Sequence, residues 1–213
     1  MKTKSDYYTY LRSEIRQFLP ESYSLVLEIG CAEGKFIRNL KQGCETWGVE
    51  MNREAALVAQ QRFTKVLVGS YDEVSQNIPD EYFDLIICND IIEHLPDSTS
   101  FLSSLSKKLK TSGSIVGSIP NVRYVGNLYN ILIKKDWQYE SSGILDRTHL
   151  RFFTHKSIVR TLTDQGLTIA FLKGINAQKN PLKRLLVLIL VLSTFFHSWD
   201  IQYPQFGFRA IKQ

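Results

Sequence analysis

At 213 residues and 24.5 kDa, with 44% hydrophobic and 22% charged residues, the chain is long enough to bury one α/β core with an appendage, and too apolar for extended disorder. Its net charge of +5 is carried by scattered lysines and arginines, not by a dense basic block interleaved with aromatics, so no nucleic-acid partner is expected. Cys31, Cys44 and Cys88 are odd in number and lack C-x-x-C spacing, which argues against a disulfide framework or a zinc site and fits a reducing cytoplasm. Residues 1–10 hold no apolar segment, so no signal peptide is expected.

Residues 5–19 place Tyr7, Leu11, Ile15, Phe18 and Leu19 at helical spacing ahead of Pro20, which predicts an amphipathic leading helix. Leu25–Ile29 is apolar on both alternations except at Glu28, and reads as a strand buried on both faces. It runs into Gly30, Cys31, Ala32 and Gly34. Small residues there let backbone N–H groups approach a ligand, and a helix starting near Gly34 would point its positive end at the same place. The dinucleotide fingerprint G-x-G-x-x-G fails, because Lys35 stands where its third glycine belongs. An acid just before the first glycine suits a ligand with a cationic amine near the turn. The spacing E-x-G-x-x-x-G within Val26 to Phe36 resembles the first motif of the class I S-adenosylmethionine-dependent methyltransferases, with Ala32 in place of the usual middle glycine. That resemblance implies S-adenosyl-L-methionine as cofactor, and a Rossmann-like, doubly wound, seven-stranded α/β sheet whose last strand is antiparallel.

Residues 35–41 continue as a helix that Gly43 ends, and 46–50 form a short second strand. Glu50 stands at its tip, where an acid can accept both hydroxyls of a ribose, and Met51 follows beside the adenine. Asn52 caps a helix over 53–63, and Lys65–Val68 is a third strand. The family places an acid shortly after this strand to bond the adenine amine. This chain offers Ser70, Tyr71 and Asp72, with either Ser70 or Asp72 as the acceptor.

Residues 85–88 make a buried fourth strand that releases Asn89 and Asp90 at its carboxyl end, where open α/β sheets bind ligands. The run from Phe83-Asp84 to Glu93-His94-Leu95 resembles the family's fourth-strand motif. It implies that Asn89 borders the methionine part of the cofactor. His94, on a short helical turn before Pro96, either bonds its neighbours and positions the adenine loop or takes part in catalysis, and the first reading is favoured. No N/D-P-P-Y/F motif follows, which argues against methylation of nucleic-acid base amines. Asp97 caps a helix over 98–110, and 114–121 is a fifth strand.

Residues 122–153 break the alternation of strand and helix, apart from a helical stretch over 128–135. Asp146, Arg147, His149 and Arg151 crowd its end, and long loops inside compact domains are commonly lids or binding loops. The string D-R-T-H-L-R-F-F-T is similar to the type 11 and ubiquinone-type methyltransferases, a group that often modifies surface polysaccharides or other small acceptors. Two readings stay open. In one, the insertion is a substrate lid in which His149 is a general base, oriented by Asp146 or Asn121. In the other, Arg147 and Arg151 pair with Asp146 and Asp164 while His149 fills a gap. No metal-ligand spacing stands out, so a metal-independent enzyme is expected.

Thr154 caps a helix that ends at Gln165, 167–172 form a sixth strand, and Gln205–Lys212 a seventh, which the resemblance inserts between the fifth and sixth. Between them lies an apolar insertion, 181–199, in which eight consecutive apolar residues (185–192) follow Lys183 and Arg184. A span needs about 20 such residues. A helix this apolar buries itself in the core, against a partner, or in a membrane interface with its basic end at the head groups. The expectation is one methyltransferase domain over 1–213, cytoplasmic, with peripheral membrane contact through 183–199 as one of these three readings. It transfers a methyl group to an oxygen or nitrogen of a small or lipid-linked acceptor such as a sugar. The rival is a non-catalytic module that binds the cofactor or a nucleoside.

Overall fold

The computed structural model describes residues 11–213. The most continuous apolar runs, β1 (Leu25–Ile29) and β4 (Phe83–Asn89), lie parallel at the centre of one sheet, with Glu28 opposite Ile87. β2 (Glu45–Glu50) and β3 (Lys65–Val68) extend it on one side. On the other, β5 (Leu109–Pro120), β6 (Leu167–Ile175) and β7 (Gln205–Lys212) complete the order β3-β2-β1-β4-β5-β7-β6, with β7 antiparallel to both neighbours. This is the seven-stranded, doubly wound order that the sequence implies.

Side chains alternate across a strand, so each central strand feeds two cores. Leu27, Ile29, Ile86 and Cys88 point to one face, where α3 (Ser98–Lys108) supplies Phe101, Leu102 and Leu105, and α5 (His155–Thr163) supplies Ile158 and Leu162. Val26, Leu85, Ile87 and Val116 point to the other, against Ile15, Phe18 and Phe36. Each fully buried aliphatic side chain contributes about 1.5–3 kcal/mol. The start of β1 is pinned by Asp84, whose Oδ2 accepts from the backbone N–H groups of Ser24 (2.9 Å) and Leu25 (3.0 Å), while Oδ1 accepts from Lys110 Nζ (2.8 Å). Burial works to raise this carboxyl, but the Lys110 and backbone hydrogen bonds outweigh it and hold it down at about 2.

Helix boundaries depart from expectation. Residues 5–10 of the leading helix, including Tyr7, lie outside the described residues, and the remainder is a single 3-10 stretch, Ser13–Phe18. The helix expected over 35–41 is one 3-10 turn, Lys35–Asn39, and so offers no helix N-terminus to a ligand. Only Arg53–Ala59 of 53–63 is α-helical (α1), with Asn52 Oδ1 accepting from Ala55 N–H at 3.0 Å as its cap. A further short helix, α2 (Tyr71–Val74), follows β3. β5 begins at Leu109, not at 114. Ser112 adopts φ of 64°, so the polar stretch ahead of Gly113 bulges yet stays in the strand.

The insertion starts as α4 (Val125–Tyr129), continues as a π turn over Asn130–Lys134, and then runs without regular structure to Phe153. Two side chains tie down its start. Arg123 grips the Asp200 carboxylate through Nε (2.8 Å) and Nη2 (3.2 Å), and the buried Asn121 amide donates to the Asp200 and Tyr203 carbonyls, both at 2.9 Å. Asn121 therefore ties the end of β5 to the chain before β7 and does not orient His149. Trp137 and Tyr139 pack on Phe152, with ring centroids 5.1 and 6.3 Å apart.

α6 (Pro181–Ser193) begins at Asn180, whose Oδ1 accepts from Lys183 N–H, and lies on the surface. Val187 packs with Val125 and Ile201, but Leu182 is 78% exposed and Phe195 83%, with Leu185, Leu188, Ile189 and Leu192 also open. Burial of this helix in the core is therefore corrected to a surface position. Among the described residues no helix is long and apolar enough to cross a membrane.

Candidate active site

Register brings the polar residues of the sheet's carboxyl edge together. Glu28 pairs with Gly48 and Ile87, so Gly30, two residues further on, lies between Glu50 at the tip of β2 and Asn89 at the tip of β4. Gly30 has φ of 68°, and a Cβ on it would lie 2.5 Å from Ile91 Cδ1. A side chain there would be strained and would also close the space between the strand ends. Gly34 is constrained in the same way, with φ of 76° and the Phe63 ring 2.6 Å from the position of a Cβ.

The two acids are prepared differently. Glu50 is 6% exposed, and its carboxylate is fixed by the backbone, Oε2 accepting from Ala32 N–H and Oε1 from Asn52 N–H, each at 2.8 Å. Ala32 adopts φ of 49° to deliver that N–H. A carboxylate oxygen has two lone-pair directions, so both oxygens keep one for a pair of vicinal hydroxyls. Glu28 is 5% exposed, and its Oε2 has no hydrogen-bond partner among the described residues. Burial, and then the Glu50 charge, push its carboxyl well above the ordinary range. The Asn89 side chain is buried with both Oδ1 and Nδ2 unpartnered. Orphaned buried polar atoms cost about 1–3 kcal/mol each and are rare in native interiors. Three of them beside a glycine cradle fit a bound amino-acid group that offers both donors and acceptors, and the fixed Glu50 fits a ribose.

Of the other cofactor-site candidates, Met51 follows Glu50 and is 75% exposed. Cys31 turns its thiol into a core with Ala59 and Phe63, and its N–H goes to the Val49 carbonyl at 3.1 Å. Ser70 caps α2, its hydroxyl and N–H both donating to Glu73 Oε2 at 2.8 Å. Tyr71 faces the core, with its hydroxyl 2.8 Å from Ser104 Oγ and its ring edge-on to Phe101. The structure therefore gathers Glu28, Gly30, Ala32, Glu50 and Asn89 at one edge, and leaves Cys31 and Tyr71 pointing elsewhere.

A second cluster sits beyond β4. His94, in the 3-10 turn Ile92–His94, donates from Nδ1 to the Thr148 carbonyl (3.2 Å), and its ring lies 4.7 Å from that of His149. Burial, and then the nearby His149, lower the His94 ring below its usual value, so it is neutral at pH 7. His149 is buried and donates from Nδ1 to the Ile144 carbonyl at 2.9 Å. The Leu150 and Arg151 N–H groups donate to the Glu93 carbonyl at 2.9 and 3.1 Å, which docks the insertion against this turn. Asp146 does not reach the imidazole. Its Oδ1 accepts from Thr148 N–H (2.8 Å) and Oγ1 (2.6 Å); burial works to raise the carboxyl, but these bonds hold it below the usual range. Arg151 donates to the Leu95 and Pro96 carbonyls, so it does not form the expected carboxylate pair. A cavity of about 420 Å³ opens here, lined by Tyr139, Arg147, His149, Leu150 and Phe152.

Two groups named in the sequence received no individual role there. Asp90 takes φ of 53° and is held by Arg12, by Ser118 Oγ (2.7 Å) and by Gln205 Nε2 (3.1 Å), which fixes the exit of β4. Glu93 is 1% exposed with neither carboxylate oxygen hydrogen-bonded, and burial, then Asp90, push it well above the ordinary range. Its place beside His94 in the fourth-strand motif was the available signal.

Comparison with known proteins agrees with this geometry. Residues 4–170 match the family model described as a methyltransferase domain. The ubiquinone biosynthesis O-methyltransferase of Aliivibrio fischeri (strain MJ11) is 28% identical over 115 residues, covering 50% of this chain and 48% of that protein. That of Rickettsia prowazekii is 26% identical over 169 residues, covering 74% and 65%. The chain thus matches less than two thirds of the length of these relatives. A S-adenosylmethionine-dependent methyltransferase from Archaeoglobus fulgidus shares the fold at a TM-score of 0.65 and 21% identity, with 99% of this chain and 95% of that one covered. The family match, the strand order and the paired acids at the sheet's edge together make the chain a member of the class I S-adenosylmethionine-dependent methyltransferase domains, of the ubiquinone-type group.

Proposed function

We propose that the protein methylates an oxygen of a small or lipid-linked acceptor, a sugar or quinol hydroxyl, with a nitrogen acceptor the less favoured case. The observation that carries the cofactor half is the set of orphaned buried atoms, Glu28 Oε2 and both ends of the Asn89 amide, flanking Gly30. Glu28 and Asn89 hold the amino-acid end, Glu50 holds the ribose and Met51 borders the adenine. Cys31, Ala32, Gly34, Ser70, Tyr71 and His94 shape the surrounding turns. The sequence relatives are O-methyltransferases by name, which supports oxygen as the acceptor atom.

The bound sulfonium supplies an activated methyl carbon. The chain's own task is to dry the site and hold the acceptor in line, which carries much of the rate in such reactions. Residues 122–153 serve as the acceptor lid, with Tyr139 and Phe152 as an apolar wall and Arg147 at the mouth. The residues at the sheet's edge would hold the sulfonium so that its methyl group, leaving its electron pair on sulfur, would pass to the acceptor oxygen, and His149 would take the hydroxyl proton. Its Nδ1 is committed to the Ile144 carbonyl, so Nε2 is the nitrogen left for this work. Asp146 assists by holding the Thr148 turn. General base loss costs about 10²–10⁴-fold, so His149→Ala should lose turnover to this extent on a panel of sugar and quinol hydroxyls while binding cofactor normally. Undiminished turnover in that variant would remove His149 from the chemistry.

The apolar helix belongs to the same reading as a membrane contact. Leu182, Leu185, Leu188, Leu192 and Phe195 are open to solvent, with Lys183 and Arg184 at the helix's basic end. Apolar residues at an acyl boundary with cations at head-group level suit an enzyme whose acceptor is lipid-linked.

A further inference from the structure

We infer that Arg12 is a positioning residue for the cofactor, acting through Asp90, which lies 78 residues away in the chain. The inference rests on the reading in which Gly30 and Asn89 cradle the amino-acid end of the ligand.

Arg12 sends a different nitrogen to each of three partners. Nε donates to Glu14 Oε1 at 2.8 Å, Nη1 to Asp90 Oδ2, and Nη2 to Ser118 Oγ at 2.7 Å. The Arg12 and Asp90 side chains are only 13% and 17% exposed. A planar guanidinium that reaches a carboxylate and a hydroxyl at once fixes orientation as well as charge. The chain on either side of Arg12 is held too. The buried Asn39 amide donates to the Leu11 carbonyl at 2.7 Å, and Ile15 and Phe18 seat the next turn in the core with Val26 and Val116.

What Arg12 grips is an unusual piece of backbone. Asp90 takes φ of 53°, a left-handed conformation that a residue other than glycine keeps only where its surroundings hold it. Its N–H donates to the Ser118 carbonyl at 3.0 Å, and its Oδ1 accepts from Ser118 Oγ and Gln205 Nε2. Its two neighbours in the chain are walls of the cradle. Asn89 is buried with its amide unpartnered at both ends, and Ile91 Cδ1 stands 2.5 Å from the place a Cβ on Gly30 would take. Rotation of Asp90 out of the left-handed region therefore swings both walls. Without Arg12 the carboxylate keeps neutral donors but loses its cation, and the turn is free to relax. A pair that only fastened the leading segment could close anywhere along β4 or β5, yet this one closes on the residue between the two walls.

The test titrates S-adenosylmethionine calorimetrically into the full chain as wild type, Arg12→Ala, Asp90→Asn and the double variant. Each single substitution should weaken binding about tenfold, a coupling ordinary for residues in contact. The double variant should bind no more weakly than the worse single, because the same unit is broken in all three. Asp90→Asn guards against misfolding, since asparagine tolerates the left-handed backbone. Lys110→Ala breaks the ion pair with Asp84 beside the start of β1, at the opposite edge of the sheet, and should leave affinity unchanged. Coupling is reciprocal, so bound cofactor should slow amide exchange over residues 13–19 in wild type but not in Asp90→Asn, a difference that a merely structural pair does not produce. Affinity within about twofold of wild type in Asp90→Asn or in folded Arg12→Ala, an equal loss in Lys110→Ala, or exchange over 13–19 that ignores the cofactor would overturn the inference and leave the cradle reading standing. Wild type that binds no cofactor would sink the cradle reading, and this inference with it.

Discussion

Glu28 is buried with an unpartnered carboxyl oxygen, which costs the cofactor-free chain stability. Its folded-state carboxyl is raised well above the unfolded one, first by burial and then by Glu50. Between those two values the folded protein binds more protons than the unfolded chain, so stability falls as pH rises through that window. Glu28→Gln removes the titration. In thermal melts without cofactor, the variant should be at least as stable as wild type at pH 7, and its stability should change less between the ordinary carboxylate range and pH 7. The same variant should bind S-adenosylmethionine about tenfold or more weakly, since a hydrogen bond to a charged group is worth about 1.5–3 kcal/mol. Lower stability of the cofactor-free variant at pH 7 would contradict the buried, unpartnered placement of this acid. At this scale Glu28, Gly30, Glu50 and Asn89 were legible because strand ends and glycine turns are local patterns. Glu93 was not, since its burial beside His149 arises only where the insertion docks on the turn after β4.

Among the elements, the strands were far more legible than the helices. β1 and β4 are continuous apolar runs and could hardly be anything else, and the caps at Asn52, Asp97 and Thr154 fall where their side chains indicate. The turn after Gly34 and α1 are shorter than expected, although Phe36 and Phe63 are both buried there. Arg12 meeting Asp90 could not be read at all, as the two residues are 78 apart in the chain. α6 was recognisable as apolar but not as exposed. Its proposed membrane contact predicts that the protein sediments with vesicles containing phosphatidylserine, more weakly as salt is raised. Leu188→Glu with Phe195→Glu should abolish sedimentation, with no loss of folded structure, since both side chains face solvent. Failure of wild type to sediment, with a concentration-dependent dimer in its place, would assign the face to a second copy.

For the molecule as a whole, the strand order converts a sequence motif into a site. Parallel pairing of β2, β1 and β4 puts their carboxyl ends in one row, so acids that are distant in the chain become neighbours, and the antiparallel β7 returns Gln205 to the Asp90 that fixes the end of β4. The 122–153 insertion and α6 are additions to that sheet, and the proposed function assigns acceptor recognition to them. The central claim is that the row of acids holds S-adenosylmethionine, and calorimetric titration of the cofactor into the full chain tests it most directly. Wild type should bind one equivalent, and Glu50→Ala, which removes the carboxylate fixed by Ala32 and Asn52, should bind at least about tenfold more weakly. Wild-type heats no larger than dilution, or equal affinity in Glu50→Ala, would contradict it.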